Sequence, residues 1–514
     1  MLLKRLYINE YKIFKDFTYE FPHDFKRYIN VLIGVNGSGK STILEAIAEI
    51  FSCVILNKES KFGFKLEYIL KHEEVLNSAS SWEGDDLDSP YFEVIISVPD
   101  KGVKPDVSVT LPDKKILNSI SEINVNKNLK SIKPNLPSNL YKVLPENIVI
   151  YYSGLSEIMK TICEPHNKKL SENYRKGITD IPQLFFYYEP PLFNLILISL
   201  LSFEYGDIPG FLKEKANITG FENIKIYLKK PYWARANDTI KNFWGAKGEV
   251  KIFLEYLNSI KGKLFISNPI DGKKGNLLIE EIGSSLTEER ILITISGREK
   301  LFQIREHFVE ERSLFNLLKA LYIDDLLKDV EFSFYKESDS RSETFGILSE
   351  GEQQAITIKG LSELLGEENT LFLFDEPDTY LHPLWQRKFI SEIEESIEQN
   401  NWNEISYIIA THSPQILSNA KPEKSFVKII ENGQLVENTP KYYGREISSI
   451  LYNLMGVEER NETIKKDLSN LFKLIEEEEI EEATHELERL KEILGETDSD
   501  IQRAIIQLSY LEEE

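Results

Sequence analysis

Residues 34–42 read Gly-Val-Asn-Gly-Ser-Gly-Lys-Ser-Thr, a spacing of residue types that can bind a phosphate chain. The glycines allow backbone N–H groups to converge on phosphate oxygens. Lys40 would reach the β- and γ-phosphates, and the Ser41 hydroxyl would ligate Mg²⁺. The motif therefore predicts binding of a nucleoside triphosphate with Mg²⁺. The predicted contact residues are Asn36, Gly37, Ser38, Gly39, Lys40, Ser41 and Thr42.

The elements on either side of this loop must hold it in place. Ile29–Ile33 is an apolar run typical of a buried strand, and Ile43–Ile50 has the composition of a helix. A strand, a Gly-rich turn and a helix are the context that a phosphate-binding loop requires, and the helix N-terminus adds its positive dipole end. A chance glycine-rich loop is disfavoured because all of these parts are in place.

Two carboxylates follow a second apolar run. Leu371–Phe374 predicts a buried strand that ends in Asp375 and Glu376, at the edge where open α/β sheets bind ligands. Asp375 would hold Mg²⁺ together with Ser41, and Glu376 would orient and deprotonate the attacking water. The alternative is a simple acidic turn, which the phosphate-binding loop upstream makes less favourable.

Two further segments complete the candidate site. Leu348–Gln354 stands before the helical run 355–365, where Ser349 and Gly351 could offer a hydroxyl and N–H groups to a phosphate. Its alternative is an ordinary capped helix. His412 follows the apolar strand 405–410 and could touch the γ-phosphate, although a structural histidine is the simpler interpretation in isolation.

In this order the motifs resemble an ABC-type ATPase, in which the segment at 348–354 corresponds to the signature motif. Roughly 300 residues separate the phosphate-binding loop from this signature segment, and a separation of that length resembles the RecF, SMC and OLD-like branch. The resemblance implies an α/β ATPase head that hydrolyses ATP to ADP and phosphate, with ATP and Mg²⁺ as cofactors and Glu376 and His412 as catalytic residues. It also implies a homodimer, and beyond it a higher homo-oligomer, in which Ser349, Gly351 and Glu352 complete the partner's nucleotide site. This signature departs from Leu-Ser-Gly-Gly-Gln, since Glu350 replaces a glycine and Glu352 the glutamine.

A narrower resemblance depends on five segments: Tyr151–Gly154, Lys229–Trp233, Phe243–Ala246, Leu381–Pro383 and Tyr443–Leu451. In these segments the chain is similar to the ATPase subunits of Septu antiphage defence systems, the PtuA family. The resemblance implies a partner HNH nuclease that cuts DNA, with this chain as its regulator.

Two alternatives are a RecF- or SMC-like ATPase of DNA repair or chromosome maintenance, and an OLD-type enzyme with its own nuclease. Residues 440–514 lack the acidic strand pattern of that nuclease domain, which disfavours the OLD-type enzyme.

The chain divides into four predicted parts: an N-terminal part of the head (1–153), a mostly helical insertion (154–328), a C-terminal part of the head (329–440) and an acidic helical tail (441–514). Residues 459–514 hold 18 acidic and 7 basic residues. Helices are predicted at 463–473, 480–494 and 499–511. This tail is either a docking arm for a second protein or a solvated cap, and the sequence does not separate the two.

Composition limits the partners. The net charge of −23 argues against a broad DNA-binding surface, but a local groove stays open. Residues 221–263 hold nine Lys/Arg and four Asp/Glu among several aromatic residues, so they predict either a nucleic-acid stripe or, as we favour, buried aromatics.

Composition also bears on location. The apolar run 192–203 is about half of the roughly 20 residues that a membrane span needs. With no apolar N-terminal leader, we expect a cytoplasmic protein without membrane contact, in which Cys53 and Cys163 are reduced thiols.

Overall fold

The computed structural model describes residues 1–22, 26–71, 91–111, 116–117, 140–154, 156–178, 184–259, 265–267, 290–336, 339–344, 348–400, 402, 404–455 and 460–513. The strands are β1 Leu2–Tyr11, β2 Phe14–Glu20, β3 Ile29–Ile33, β4 Phe64–Leu70, β5 Phe92–Val98, β6 Asp106–Thr110, β7 Ile116–Leu117, β8 Ile148–Tyr152, β9 Phe185–Tyr187, β10 Ile218–Lys229, β11 Phe265–Ser267, β12 Arg290–Ser296, β13 Leu327–Lys336, β14 Asp339–Thr344, β15 Leu371–Asp375, β16 Ser406–Thr411, β17 Ser425–Glu431 and β18 Gln434–Leu435. The helices are α1 Lys40–Leu56, α2 Glu157–Lys176, α3 Leu192–Leu201, α4 Ile208–Ala216, α5 Gly248–Ser259, α6 Arg298–His307, α7 Glu311–Ile323, α8 Glu350–Leu365, α9 Pro383–Gln399, α10 Pro414–Ser418, α11 Ile447–Met455, α12 Glu462–Glu476, α13 Ile480–Leu494 and α14 Ser499–Glu513.

A largely parallel sheet forms the centre of the unit Met1–Gly444. Its described strands lie in the order β18-β17-β3-β16-β15-β8-β9, and β18 alone among them runs antiparallel to its neighbour. Every residue of β3, β15 and β16 is buried, as expected for parallel strands covered on both faces. Helix α1 packs against β15 and β16. The predicted α/β class and the predicted strands of the candidate site are therefore confirmed.

A second sheet is antiparallel and has the order β2-β1-β4-β5-β6-β7. Strands β1 and β2 form an N-terminal hairpin, in which they pair with Tyr11 opposite Phe14. Alternate residues of β4 and β5 are buried, so one face of this sheet packs on the core that α1 also enters. This sheet places Ile13 and Phe14 beside the phosphate-binding loop.

The insertion contains helices and an antiparallel sheet of its own, in the order β11-β12-β10-β13-β14. The C-terminal part of the head is predicted to begin at residue 329, which lies within strand β13. This strand pairs with β10 of the insertion, a partner that strand periodicity cannot identify. The four domain boundaries proposed from the sequence stay predictions.

The aromatic residues of 221–263 are mostly structural. Phe243 and Trp244 are buried, and the Tyr227 hydroxyl donates to Glu331 at 3.0 Å. Tyr232 is 77% exposed, and contact of this segment with DNA stays a prediction. Lys261 and Lys263 lie outside the described residues.

Residues Arg445–Glu514 form a separate compact unit. The three predicted tail helices are confirmed as α12, α13 and α14, and Gly495 ends α13. These helices share a small apolar core, which makes the tail a packed unit. Its buried members are Leu468, Leu471, Ile475, Ala483, Leu487, Leu490, Ile501, Ala504 and Leu508.

The described helices include none long and apolar enough to cross a membrane, and the apolar run predicted from residue 192 forms the ten-residue helix α3. Cys53 and Cys163 are buried free thiols. Burial raises the pKa of both, that of Cys53 to about 12, so neither is poised to react.

Candidate nucleotide-binding and hydrolytic site

Strand register brings the predicted site residues to one edge of the central sheet. Ile33 at the end of β3 is level with Thr411 of β16. Asp375 at the end of β15 is level with Ala410 on one side and with Tyr152, the last residue of β8, on the other. Because these strands are parallel, the loops after all four leave from the same edge, where open α/β sheets bind ligands.

The loop of residues 34–39 depends on its glycines. Gly37 has φ +76° and Gly39 has φ +114°, conformations that residues with a side chain rarely adopt. A Cβ on Gly39 would lie 2.7 Å from the Phe14 ring. Gly39 caps α1, so the N-terminus of this 17-residue helix lies directly after the loop. Ser38 Oγ is buried and has no hydrogen-bond partner within the described part of the chain. Asn36 and Gly37 are exposed, and Ser41 and Thr42 are half-buried.

Lys40 is the first residue of α1 and follows this loop directly. Its Nζ donates to the carbonyl oxygens of Gly34 at 2.8 Å and Val35 at 3.2 Å, and lies 3.5 Å from Nδ1 of His412. Burial lowers the pKa of Lys40, while the charges of Asp375 and Glu376 oppose that shift. An ammonium that is held by uncharged carbonyl groups can exchange them for phosphate oxygens, which carry negative charge.

Asp375 has the environment of a metal ligand. It is 1% exposed, and its Oδ1 atom has no hydrogen-bond partner among the residues that the structure describes. Burial raises its pKa to about 6, while hydrogen bonds from Ser41 and Tyr152 act in the opposite direction. A buried carboxylate oxygen without a partner is costly unless a ligand satisfies it. The Asp375 carboxylate beside the Ser41 hydroxyl therefore fits Mg²⁺, which prefers oxygen ligands.

Glu376 and His412 meet across neighbouring strand ends. Glu376 Oε1 lies 3.0 Å from His412 Nε2, and that contact lowers the pKa of Glu376. Glu376 has φ +49°, a left-handed conformation that is strained for a residue with a side chain and recurs at functional sites. Its N–H donates to Ala410 O at 2.8 Å, which fixes this turn to β16. The Glu376 carboxylate is thus held ionised and partly exposed at the sheet edge.

The loop after Glu376 joins two predicted motifs. Asp378 is buried, and its Oδ1 accepts a hydrogen bond from Thr411 Oγ1 at 2.8 Å. Burial raises the pKa of Asp378 to about 6. Thr379 Oγ1 donates to Glu376 O at 3.0 Å and lies 3.2 Å from Ser153 Oγ, from which it can accept a hydrogen bond. The residues beside His412 and those beside Glu376 are therefore connected through one loop.

The signature segment begins α8 away from these strand ends. Ser349 caps the helix in a capping box, in which its Oγ accepts from Glu352 N and Glu352 Oε2 accepts from Ser349 N at 2.6 Å. The capped-helix alternative is thus present, and a contact of Glu352 with nucleotide stays a prediction. Ser349 and Gly351 line an open cavity of about 530 Å³, which no residue of 34–42 lines. Its other lining residues are Glu350, Tyr380, His382 and Trp385.

Two residues that the sequence did not single out for a role connect these parts. The Tyr152 hydroxyl interacts with Ser41 and Asp375, and the position of Tyr152 at the end of a parallel strand was the available signal. Gln354 is buried in α8, where its Nε2 donates to the Tyr151 hydroxyl at 3.1 Å and its Oε1 accepts from Tyr380 N at 2.8 Å. Gln354 thus links the signature helix to both β8 and the loop after Glu376.

Comparison with known proteins gives one family and several relatives. Residues 29–418 match the family described as "AAA domain, putative AbiEii toxin, Type IV TA system". The chain is 23% identical over 474 residues to the Retron Ec83 probable ATPase of Escherichia coli, covering 88% of this chain and 76% of that protein. It is 31% identical over 142 residues to the DNA replication and repair protein RecF of Francisella tularensis subsp. holarctica, covering 27% of this chain and a third (33%) of RecF.

Two solved structures align with most of this chain at lower sequence identity. An SMC head bound to the C-terminal winged-helix domain of ScpA aligns with 85% of this chain and 97% of its own, at 13% identity and a TM-score of 0.34. An ATP-binding cassette of an ABC transporter aligns with 88% of this chain and 96% of its own, at 14% identity and a TM-score of 0.29.

Proposed function

This chain belongs to the AAA-domain family that its residues 29–418 match, and we propose that it is an ABC-type regulatory ATPase of an antiphage, Septu-like defence complex. It binds ATP with Mg²⁺, hydrolyses the ATP in a site shared by two copies, and thereby controls a partner HNH nuclease that cuts DNA. The observation that carries this proposal is the convergence of Lys40, Asp375, Glu376 and His412 at one sheet edge, with the exposed signature segment apart from them.

ATP binding rests on the loop between β3 and α1. Lys40 exchanges its bonds to Gly34 O and Val35 O for bonds to phosphate oxygens, and the α1 N-terminus faces the same charge. Ser41 and Asp375 hold Mg²⁺, which neutralises phosphate charge when it is bound. We expect Lys40→Ala to abolish ATP binding in equilibrium dialysis. Unchanged ATP affinity in that variant would contradict this assignment.

Hydrolysis rests on Glu376. Its carboxylate is kept ionised by His412 and accepts the proton of the attacking water. His412 also lies 3.5 Å from Lys40, so one imidazole contacts both the base and the phosphate-binding lysine. This arrangement supports a role for His412 in aligning the base with the γ-phosphate.

The signature segment supports a shared site. The cavity beside Ser349 and Gly351 is bordered by Tyr380, and none of the phosphate-binding residues line it. The Ser349 hydroxyl is exposed at a helix N-terminus, where it can meet the phosphates of ATP that a second copy holds. Gln354 then transmits the contact to Tyr151 and to the loop after Glu376.

The nuclease partner rests on the Septu resemblance and on the tail. Residues 445–514 pack around their own apolar core and carry a strong acidic excess, which favours docking of a protein over DNA.

Purification of the tagged chain from its native host tests this proposal, with a variant lacking residues 445–514 as control. We expect an HNH nuclease with the full chain and none with the truncated one. Recovery of a DNA-repair or loading factor instead of a nuclease would favour the RecF-like alternative. The match to RecF covers 27% of this chain.

A further inference from the structure

The insertion and the head together enclose a cavity of about 550 Å³ that is separate from the nucleotide site. Helices α2, α5, α6 and α7 contribute to its wall, as does the C-terminal end of α8. Its size is within the range of sites for small organic molecules. Its charged and polar lining includes Glu249, Asn316, Lys319, Arg312 and Glu367, and Leu364 lines it from α8.

A buried ammonium group lines this cavity. Lys319 is 3% exposed, and its Nζ donates to Asn316 Oδ1 at 2.8 Å. In the part of the chain that the structure describes, Lys319 has no ion pair with a carboxylate. The rings of Phe186 and Phe315 lie 5.6 and 5.2 Å from Nζ, and they compensate the charge only in part.

The surroundings of Lys319 disfavour its charge. Burial, and after it the nearby Arg312 guanidinium, lower the pKa of Lys319 to about 7, with Glu249 acting in the opposite direction. Arg312 is itself engaged, because it pairs with Glu367 and donates to Leu364 O and Gly366 O. A buried ammonium without a counterion costs several kcal/mol, so the chain gains no stability from holding it there.

We propose that this cavity is a binding site for a small organic molecule carrying one anionic group, a carboxylate or a phosphate monoester, which pairs with Lys319. The glutamates of the wall disfavour polyanions such as a triphosphate, so the site is distinct in its ligand from the loop at residues 34–42.

The position of the cavity gives its ligand a route to the nucleotide site. Arg312 holds the last carbonyl groups of α8, and Leu364 of that helix lines the cavity. Ser349 caps the other end of the same helix, about 24 Å away at 1.5 Å per residue.

Calorimetric titration of the full chain tests the site, with ADP and Mg²⁺ saturating the nucleotide loop. Glycerol 3-phosphate probes the phosphate monoester and glutamate probes the carboxylate. We expect one of them to bind, and Lys319→Met to weaken that binding at least tenfold. Lys251→Met changes an exposed lysine on the cavity-lining helix α5 and should bind as the unaltered chain does. Binding of neither probe, or equal binding by Lys319→Met, would overturn the proposal.

Thermal unfolding without ligand separates a binding role from a structural one. Methionine keeps the length of the lysine stem but removes the buried charge, so Lys319→Met should raise Tm if the ammonium is there for a ligand. A lower Tm would mean that Lys319 stabilises the fold itself, and would count against the site.

Discussion

Glu376 Oε1 lies 3.0 Å from His412 Nε2, and this contact joins the ends of two neighbouring parallel strands, β15 and β16. The imidazole lowers the pKa of the Glu376 carboxyl group, while partial burial acts against it. A general base must be ionised before it can accept a proton, so the pair keeps Glu376 ready at acidic as well as neutral pH. The contact also fixes the direction of the carboxylate.

The pH profile of ATP hydrolysis tests this contact. In His412→Ala the pKa of Glu376 rises, because its first cause of depression is removed. We expect the acid limb of the kcat profile to move to higher pH and the maximal rate to fall. His485→Ala changes an exposed histidine of the tail and is the control. An acid limb that stays in place would show that His412 does not set the ionisation of Glu376.

The raised pKa of Asp375 implies that this carboxylate lowers the stability of the ligand-free fold while it serves metal binding. Its folded-state pKa of about 6 lies above 3.8, so its ionisation destabilises the ligand-free chain as pH rises from about 4 to about 6. This difference corresponds to about 3 kcal/mol. We expect Asp375→Asn to raise the Tm of the ligand-free chain at pH 7 and to lose the extra stabilisation that Mg²⁺ gives with ATP.

The same measurement at pH 4 should show little difference between Asp375→Asn and the unaltered chain, because the carboxyl group of folded Asp375 is almost fully protonated there and carries little buried charge. Asp100→Asn, an exposed change, should leave Tm unaltered at both pH values. A lower Tm for Asp375→Asn at pH 7 would contradict the proposal that this carboxylate is held for a metal.

A substitution at Ser349 should impair ATP hydrolysis in a way that mixing with a second variant can partly reverse. Ser349→Gly removes the hydroxyl but retains a residue that caps helices well, at a cost of a few tenths of a kcal/mol. We expect ATP binding to be kept and hydrolysis to fall. Mixing this variant with Lys40→Ala should restore part of the hydrolysis, since one mixed site then has an intact loop and an intact signature. No recovery on mixing would argue against a shared site.

The sequence predicted the strands and loops of the site because their signals are local. Apolar runs lead into Gly34, Asp375 and His412, and parallel strands place the loops at their carboxyl ends along one edge of the sheet. The resemblance to ABC-type ATPases implied an α/β head, and the largely parallel central sheet confirms that fold class. Roles of the individual site residues stay predictions that the proposed variants address.

Contacts between strands that lie far apart in the sequence could not be predicted from it. The contact of Tyr152 with Ser41 and Asp375 depends on β8 lying beside β15, and more than 200 residues separate these strands. The pairing of β13 with β10 likewise results from neighbours that periodicity does not identify. Glu352 matched a signature position, yet it also fits a capping box, and only the structure revealed that hydrogen bond.

Glu376→Gln gives the most direct test of the account, because glutamine keeps the size of the side chain but cannot accept the proton. Turnover should fall by about 10²–10⁴-fold, with ATP still bound. Light scattering coupled to size exclusion should then show the 59.5 kDa chain doubling in mass with ATP and Mg²⁺, and remaining unshifted with ADP. A variant that binds ATP without any change in mass would contradict the proposal that two copies enclose the nucleotide.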